Sequence, residues 1–216
     1  MLEGKITELK RELVGFATLV EHMIEKSIKG LLEKKQELLL EVIEEDEPKA
    51  NHLEIELDEL CTSSIAQFEP KAKDLRIILM IAKISNDLER MGDHAVNIAE
   101  SSLLLIERPS VKPLIDIPRM AELTMKMLKD STNSFINEDT SLAKNVCERD
   151  SEVDNLKDQL LRELITFMSS DSSTIERSLH LLRIANNLER VADLSTNICE
   201  DTIFMTEGKV IKHPKG

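Results

Sequence analysis

The 216-residue chain has no Trp and no Tyr, and only five Phe. Strands draw heavily on aromatic and β-branched residues, so this scarcity argues against a sheet architecture. Six Gly and six Pro are too few for a chain built on tight turns. The three cysteines, Cys61, Cys147 and Cys199, share no metal-ligand spacing and are odd in number. They read as small core residues in a reducing compartment. The longest apolar run, residues 77–82, is far too short to span a bilayer. No secretory signal precedes the first helical pattern, so a cytoplasmic location is expected. Basic residues are also short: 28 Lys and Arg against 41 Asp and Glu leave a net charge of −13. No basic stripe can neutralise phosphates, which excludes nucleic acid as a partner and leaves cations or basic protein surfaces. A Gly-rich phosphate loop, a nucleophile with a His partner and a zinc motif are all missing, so no enzyme activity is expected.

What remains is a helix-forming composition rich in Leu, Ile, Met, Glu and Lys. Leu2, Ile6, Leu9, Leu13, Phe16, Val20 and Met23 step by four and three, the stripe of a bundle helix. The pattern predicts helices over 2–32, 36–68, 73–107, 119–136, 141–168 and 175–207. Pro48 should kink the second of them or mark a late start. Pro109, Pro113 and Pro118 mark a boundary. The expected fold is all-α, two tandem three-helix bundles: residues 1–108, a linker at 109–118, residues 119–207, and a tail at 208–216.

Residues 84–100 return at 184–200, one hundred residues on without a gap, with nine positions identical. Such a self-match means internal duplication. Glu89, Asp93, Asn97 and Glu100, with their copies from Glu189 to Glu200, fall on one helix face. Gly92 is Ala192 in the copy, so that position calls for a small helical residue and not for positive φ. Folding the third helix back on the second sets Glu89 near Asn51 and Asp93 near Glu47, with Asp46 close by. The same arithmetic sets Glu189 and Asp193 against Asp150 and Asp154. Carboxylates at one height repel unless protons, basic side chains or hard cations neutralise them. Oxygen ligands suit Mg²⁺, Ca²⁺, Mn²⁺ or iron better than copper. The second column should bind an ion more tightly, because all four of its ligands are acids. Glu54 and Asp58 read as surface, Asp87 carries no assigned role, and Arg90 and Arg190 read as ion-pair partners. The five His read as ordinary surface or packing residues.

The stretch Asp87–Glu100, with Asp74-Leu-Arg76 upstream and its copy at Asn187–Glu200, closely resembles the signature of the PhoU family. The resemblance covers nearly the whole chain. It implies two three-helix repeats, commonly in a homodimer, and a non-enzymatic regulator of phosphate homeostasis. Such regulators restrain phosphate uptake and keep phosphate-starvation genes off. They act as adaptors between a phosphate ABC transporter, through its ATPase subunit, and a phosphate-sensing histidine kinase. Membrane contact would then be peripheral, through partners. The family's metal motifs map onto Glu189, Asp193, Asp150 and Asp154, and onto Glu89, Asp93, Glu47 and Asn51. The implied ion is iron, manganese, magnesium or zinc. Asn51 departs from the usual acid, and Leu194 stands where the family often has His. Two other readings stay open: a similar accessory of another ion transporter, and a metal-binding helical bundle.

Overall fold

A computed structural model describes residues 1–207; the tail expected at 208–216 lies outside them. The elements are α1 (Leu2–Glu33), α2 (Gln36–Glu41), a π turn (Val42–Asp46), α3 (Glu47–Phe68), α4 (Lys73–Ile106), α5 (Asp116–Asn137), α6 (Thr140–Ser170), a 3₁₀ turn (Ser172–Thr174) and α7 (Ile175–Glu207). α2, the π turn and α3 form one rod, so each half is three long antiparallel helices. Among the described residues there is no strand.

Helix starts and stops follow local chemistry. Asp139 caps α6 by accepting from the backbone N–H groups of Ser141 and Leu142, both at 3.0 Å. α1, α3 and α5 end in left-handed residues, Lys34, Glu69 and Glu138. Pro48 marks the start of α3, the second of the two outcomes expected for it. The helix slips register over Val42–Asp46, so that Pro48 falls in the first turn of α3. Its missing N–H is tolerated there. The expected linker is also shorter than 109–118, because α5 begins at Asp116 and Pro118 belongs to its first turn. Proline at a helix start fixes the φ the helix needs, so a sequence reading for breaks overcounts it.

α1, α3 and α4 pack together, as do α5, α6 and α7. The halves then join through α4 against α7 and α1 against α5, and their buried side chains form one continuous apolar core. α3 and α6 flank this core on the outside. α4 and α7 run antiparallel. Lys83 of α4 reaches Asp201 of α7 at 2.6 Å. Reciprocally, Arg183 of α7 reaches Asn97 at 2.7 Å and Glu100 at 3.3 Å on α4. The two repeats therefore face each other about an approximate two-fold axis.

Gly92 sits where α4 meets α1 and α3. A Cβ placed there would lie 3.6 Å from both Ala50 Cβ and Met23 Cε, an ordinary contact. Gly92→Ala should therefore stabilise the protein by about 0.5–1 kcal/mol through helix propensity alone. Urea denaturation checks this; a loss of stability would mean that the three helices are closer-packed than described.

Candidate functional site

The polar face of each last helix stands where its repeat's outer helix crosses it. In the second repeat, α7 presents Glu189 and Asp193, and α6 presents Asp150 and Asp154. Burial, and then the charges of Asp193, Asp154 and Glu189, push the Asp150 carboxyl up to about 6. Asp193 is raised by burial and by Glu189. These four predicted residues are thus brought together. A fifth group stands among them that sequence reasoning missed. Lys157, one turn along α6 from Asp154, donates to Glu189 Oε1 at 2.8 Å and to Asp154 Oδ1 at 3.4 Å. Burial works against its ammonium, but the bonds to Glu189 and Asp154 outweigh it and hold its pKa above the ordinary value. Arg190 adds a looser cation, 3.8 Å from Glu189 and 3.7 Å from Asp193.

The first repeat repeats the shape with an acid in place of the lysine. Burial, then Asp93 and Glu54, push the Glu89 carboxyl above its usual range, and Glu47 adds to the effect while Arg90 offsets part of it. Asn51 donates to Glu47 at 3.4 Å. Glu54, read from sequence as surface, is therefore a member of the column. In the register that sets Glu47 against Asp150 and Asn51 against Asp154, buried Ala50, Leu57 and Cys61 fall on buried Val153, Leu160 and Leu164. Glu54 falls on Lys157. That alignment was available in the sequence and would have found both. Among the described residues, none of Glu47, Glu54, Glu89 and Asp93 has a Lys or Arg within 4.0 Å; Arg90 turns instead to Asp87. Asp46, expected close by, is elsewhere: it is buried in the π turn and paired with Lys26 at 2.7 Å and Lys49 at 3.1 Å.

Side chains from both repeats also meet in one cleft of about 550 Å³, lined by Arg90, His94, Asp150, Arg190, Asp193 and Glu200 among others. His94 is not a free surface residue. Its Nδ1 lies 2.8 Å from Asn187 Oδ1 across the repeat interface, and the Asn187 amide donates to the Arg183 carbonyl. Nδ1 is therefore the donor. Leu194, buried, holds the equivalent place in the second repeat, so Asp87, the counterpart of Asn187, has no imidazole opposite it. Its Oδ2 has no hydrogen-bond partner among the described residues, and burial pushes its pKa up. Cys147 and Cys199, scattered in sequence, also come near each other, and their interaction lowers the pKa of Cys147 and raises that of Cys199.

For a metal ion, the first-repeat donors fit by chemistry, being oxygen-only and, among the described residues, without a Lys or Arg within 4.0 Å. Among the described residues, no group of three or more His, Cys, Asp or Glu is arranged to hold one as the side chains stand. Binding in the first column would require Glu47, Glu54 and Glu89 to converge by rotamer changes. The second column does not fit, because Lys157 already engages two of its four acids.

A two-repeat helical scaffold, with a polar column on the last helix of each repeat and a cleft between them, defines the class. A profile of the PhoU domain matches residues 13–102 and again 117–202. The chain is 43% identical over 209 residues to a phosphate-specific transport system accessory protein PhoU homolog from Aquifex aeolicus, covering 97% of this chain and 94% of that one. It is 34% identical to a homolog 2 of that protein from Thermotoga maritima, covering 98% and 90%. The crystal structure of PhoU from Pseudomonas aeruginosa has a TM-score of 0.92 at 29% identity, covering 97% of this chain and all of that one. This chain belongs to the PhoU family.

Proposed function

We propose that this protein is a non-enzymatic accessory of a phosphate transport system, a negative regulator of phosphate uptake and of phosphate-starvation genes. The observation that carries this reading is the full-length match, repeat by repeat, to relatives named for that system. The non-enzymatic part is supported by the cleft itself. Its Asp193 is paired with Arg190, and its imidazole is tied to Asn187.

The adaptor binds the ATPase subunit of the transporter and the sensor kinase, and does so as a homodimer in the cytoplasm. An adaptor regulates only by preferring one state of its partner, here the inactive kinase. A net charge of −13 calls for basic patches on those partners and for association that weakens as salt rises. No helix among the described residues is long and apolar enough to cross a membrane, so membrane contact is made through partners. A divalent or ferric cation, iron, manganese, magnesium or zinc, would neutralise the first column. It would there draw α3 and α4 together, a structural role and not a catalytic one.

Deleting the gene should derepress phosphate-starvation genes in phosphate-rich medium. The purified protein should capture the ATPase subunit and the kinase's sensor region at low salt, and less of each at high salt. Unchanged gene expression together with capture of neither partner would move the protein to the reading as an accessory of another ion transporter.

A further inference from the structure

The two columns differ most in charge at one structural position, in a way the rest of the repeat does not explain. α3 and α6 present equivalent acids at Glu47 and Asp150, and at the next turn Asn51 and Asp154. One turn further, Glu54 in the first repeat is Lys157 in the second. The Lys157 side chain is only 23% exposed, and it points into the column and not into solvent. Its ammonium bonds to one acid from each helix, Asp154 of α6 and Glu189 of α7, the latter only 17% exposed.

We infer that Lys157 is the resident cation of the second column, standing in the place a metal ion would take and excluding it. This deepens the cation reading above and rests on it. Two physical effects act together. The ammonium hydrogens occupy Glu189 Oε1 and Asp154 Oδ1, so those oxygens are not free to close on an ion. The fixed positive charge also repels any divalent cation approaching the same carboxylates, a repulsion that partial burial leaves poorly screened. Arg190 adds to it from the outer side, 3.7 Å from Asp193. The ion preference expected from the count of acids is thereby reversed. Three of the second column's four carboxylates are ion-paired, Asp154 and Glu189 to Lys157 and Asp193 to Arg190, whereas among the described residues the four acids of the first column have no Lys or Arg within 4.0 Å. The second repeat carries its own counter-ion in the chain; the first depends on one from solution.

The test uses the full-length protein, stripped with chelator and dialysed to equilibrium against MnCl₂. Bound Mn²⁺ is counted by elemental analysis and by the loss of the free-ion signal in electron paramagnetic resonance. Asp193→Asn in the wild-type background should leave the count unchanged. Lys157→Glu should add about one Mn²⁺ per chain, and Lys157→Gln should add the same ion at lower affinity. Adding Asp193→Asn to Lys157→Glu should remove the gain. Glu54→Lys, the reciprocal change, should weaken Mn²⁺ binding in the first repeat at least tenfold. Circular dichroism confirms that each variant is folded. A wild-type count that falls with Asp193→Asn, or no gain in either Lys157 variant, overturns the inference. These counts require no phosphate-system partner. A deletion strain with normal phosphate regulation would sink the proposed function while leaving them intact.

Discussion

Replacing Lys26 with Met should lower the unfolding free energy by about 3 kcal/mol. Asp46 lies in the π turn with its side chain 3% exposed, and Lys26 reaches it at 2.7 Å. Lys26 also bonds Glu41 at 2.5 Å, so one ammonium on α1 ties down both ends of the irregular segment that joins α2 to α3. Removing it leaves a buried carboxylate facing an apolar side chain, a class of change that costs about 3–5 kcal/mol. The lower end applies because Lys49, 57% exposed, still reaches Asp46 at 3.1 Å. The loss should be largely recovered in Lys26→Met/Asp46→Leu, since a buried pair exchanged for apolar groups is close to neutral. Urea denaturation at neutral pH measures all three proteins. A single variant within 1 kcal/mol of wild type would mean that water or Lys49 alone satisfies Asp46.

Asp150→Asn should do the opposite and stabilise the protein above neutral pH. Asp150 is held at about 6 in the fold, against an ordinary value of 3.8. Between those values the folded chain keeps a proton that the unfolded chain has lost. Unfolding free energy therefore falls as pH rises through that window, and the full penalty applies above it. Two units correspond to about 3 kcal/mol. The site is half open to solvent, which screens the interaction and brings the expected effect to about 1 kcal/mol. The variant should match wild type near pH 4 and exceed it by that amount at pH 7.5, in buffer containing chelator. Asp193, raised by burial and by Glu189, leaves part of the slope in place. A variant less stable than wild type at pH 7.5 would show that Asp150 carries its charge there without penalty.

Much of this was legible in the sequence because duplication and heptad spacing are local properties. The helices, the repeat pairing and the membership of Glu89, Asp93, Glu189 and Asp193 in polar columns follow from periods of three and four. The π turn was not legible, since Pro48 signals a disturbance without saying that the register slips ahead of it. Arithmetic about a hairpin turn fixes height and not azimuth. It therefore set Asp46 close to the column, although Asp46 faces Lys26, and left out Glu54 and Lys157. Contacts across the repeat interface were invisible for a different reason. His94 with Asn187 and Lys83 with Asp201 depend on how α4 crosses α7, which no single helix encodes.

That crossing resembles the interface of a homodimer, with each repeat in the role of a subunit. In a homodimer of single repeats, every mutation appears twice, and a lysine that suits one half is imposed on the other. Here the halves are written separately in one gene. Glu54 and Lys157 can differ, as can His94 and Leu194 or Asp87 and Asn187, without either member dictating its counterpart. Joining the repeats end to end gives each half its own mutational freedom while the shared core keeps them together. One half can thus become sensitive to its surroundings while the other remains indifferent to them.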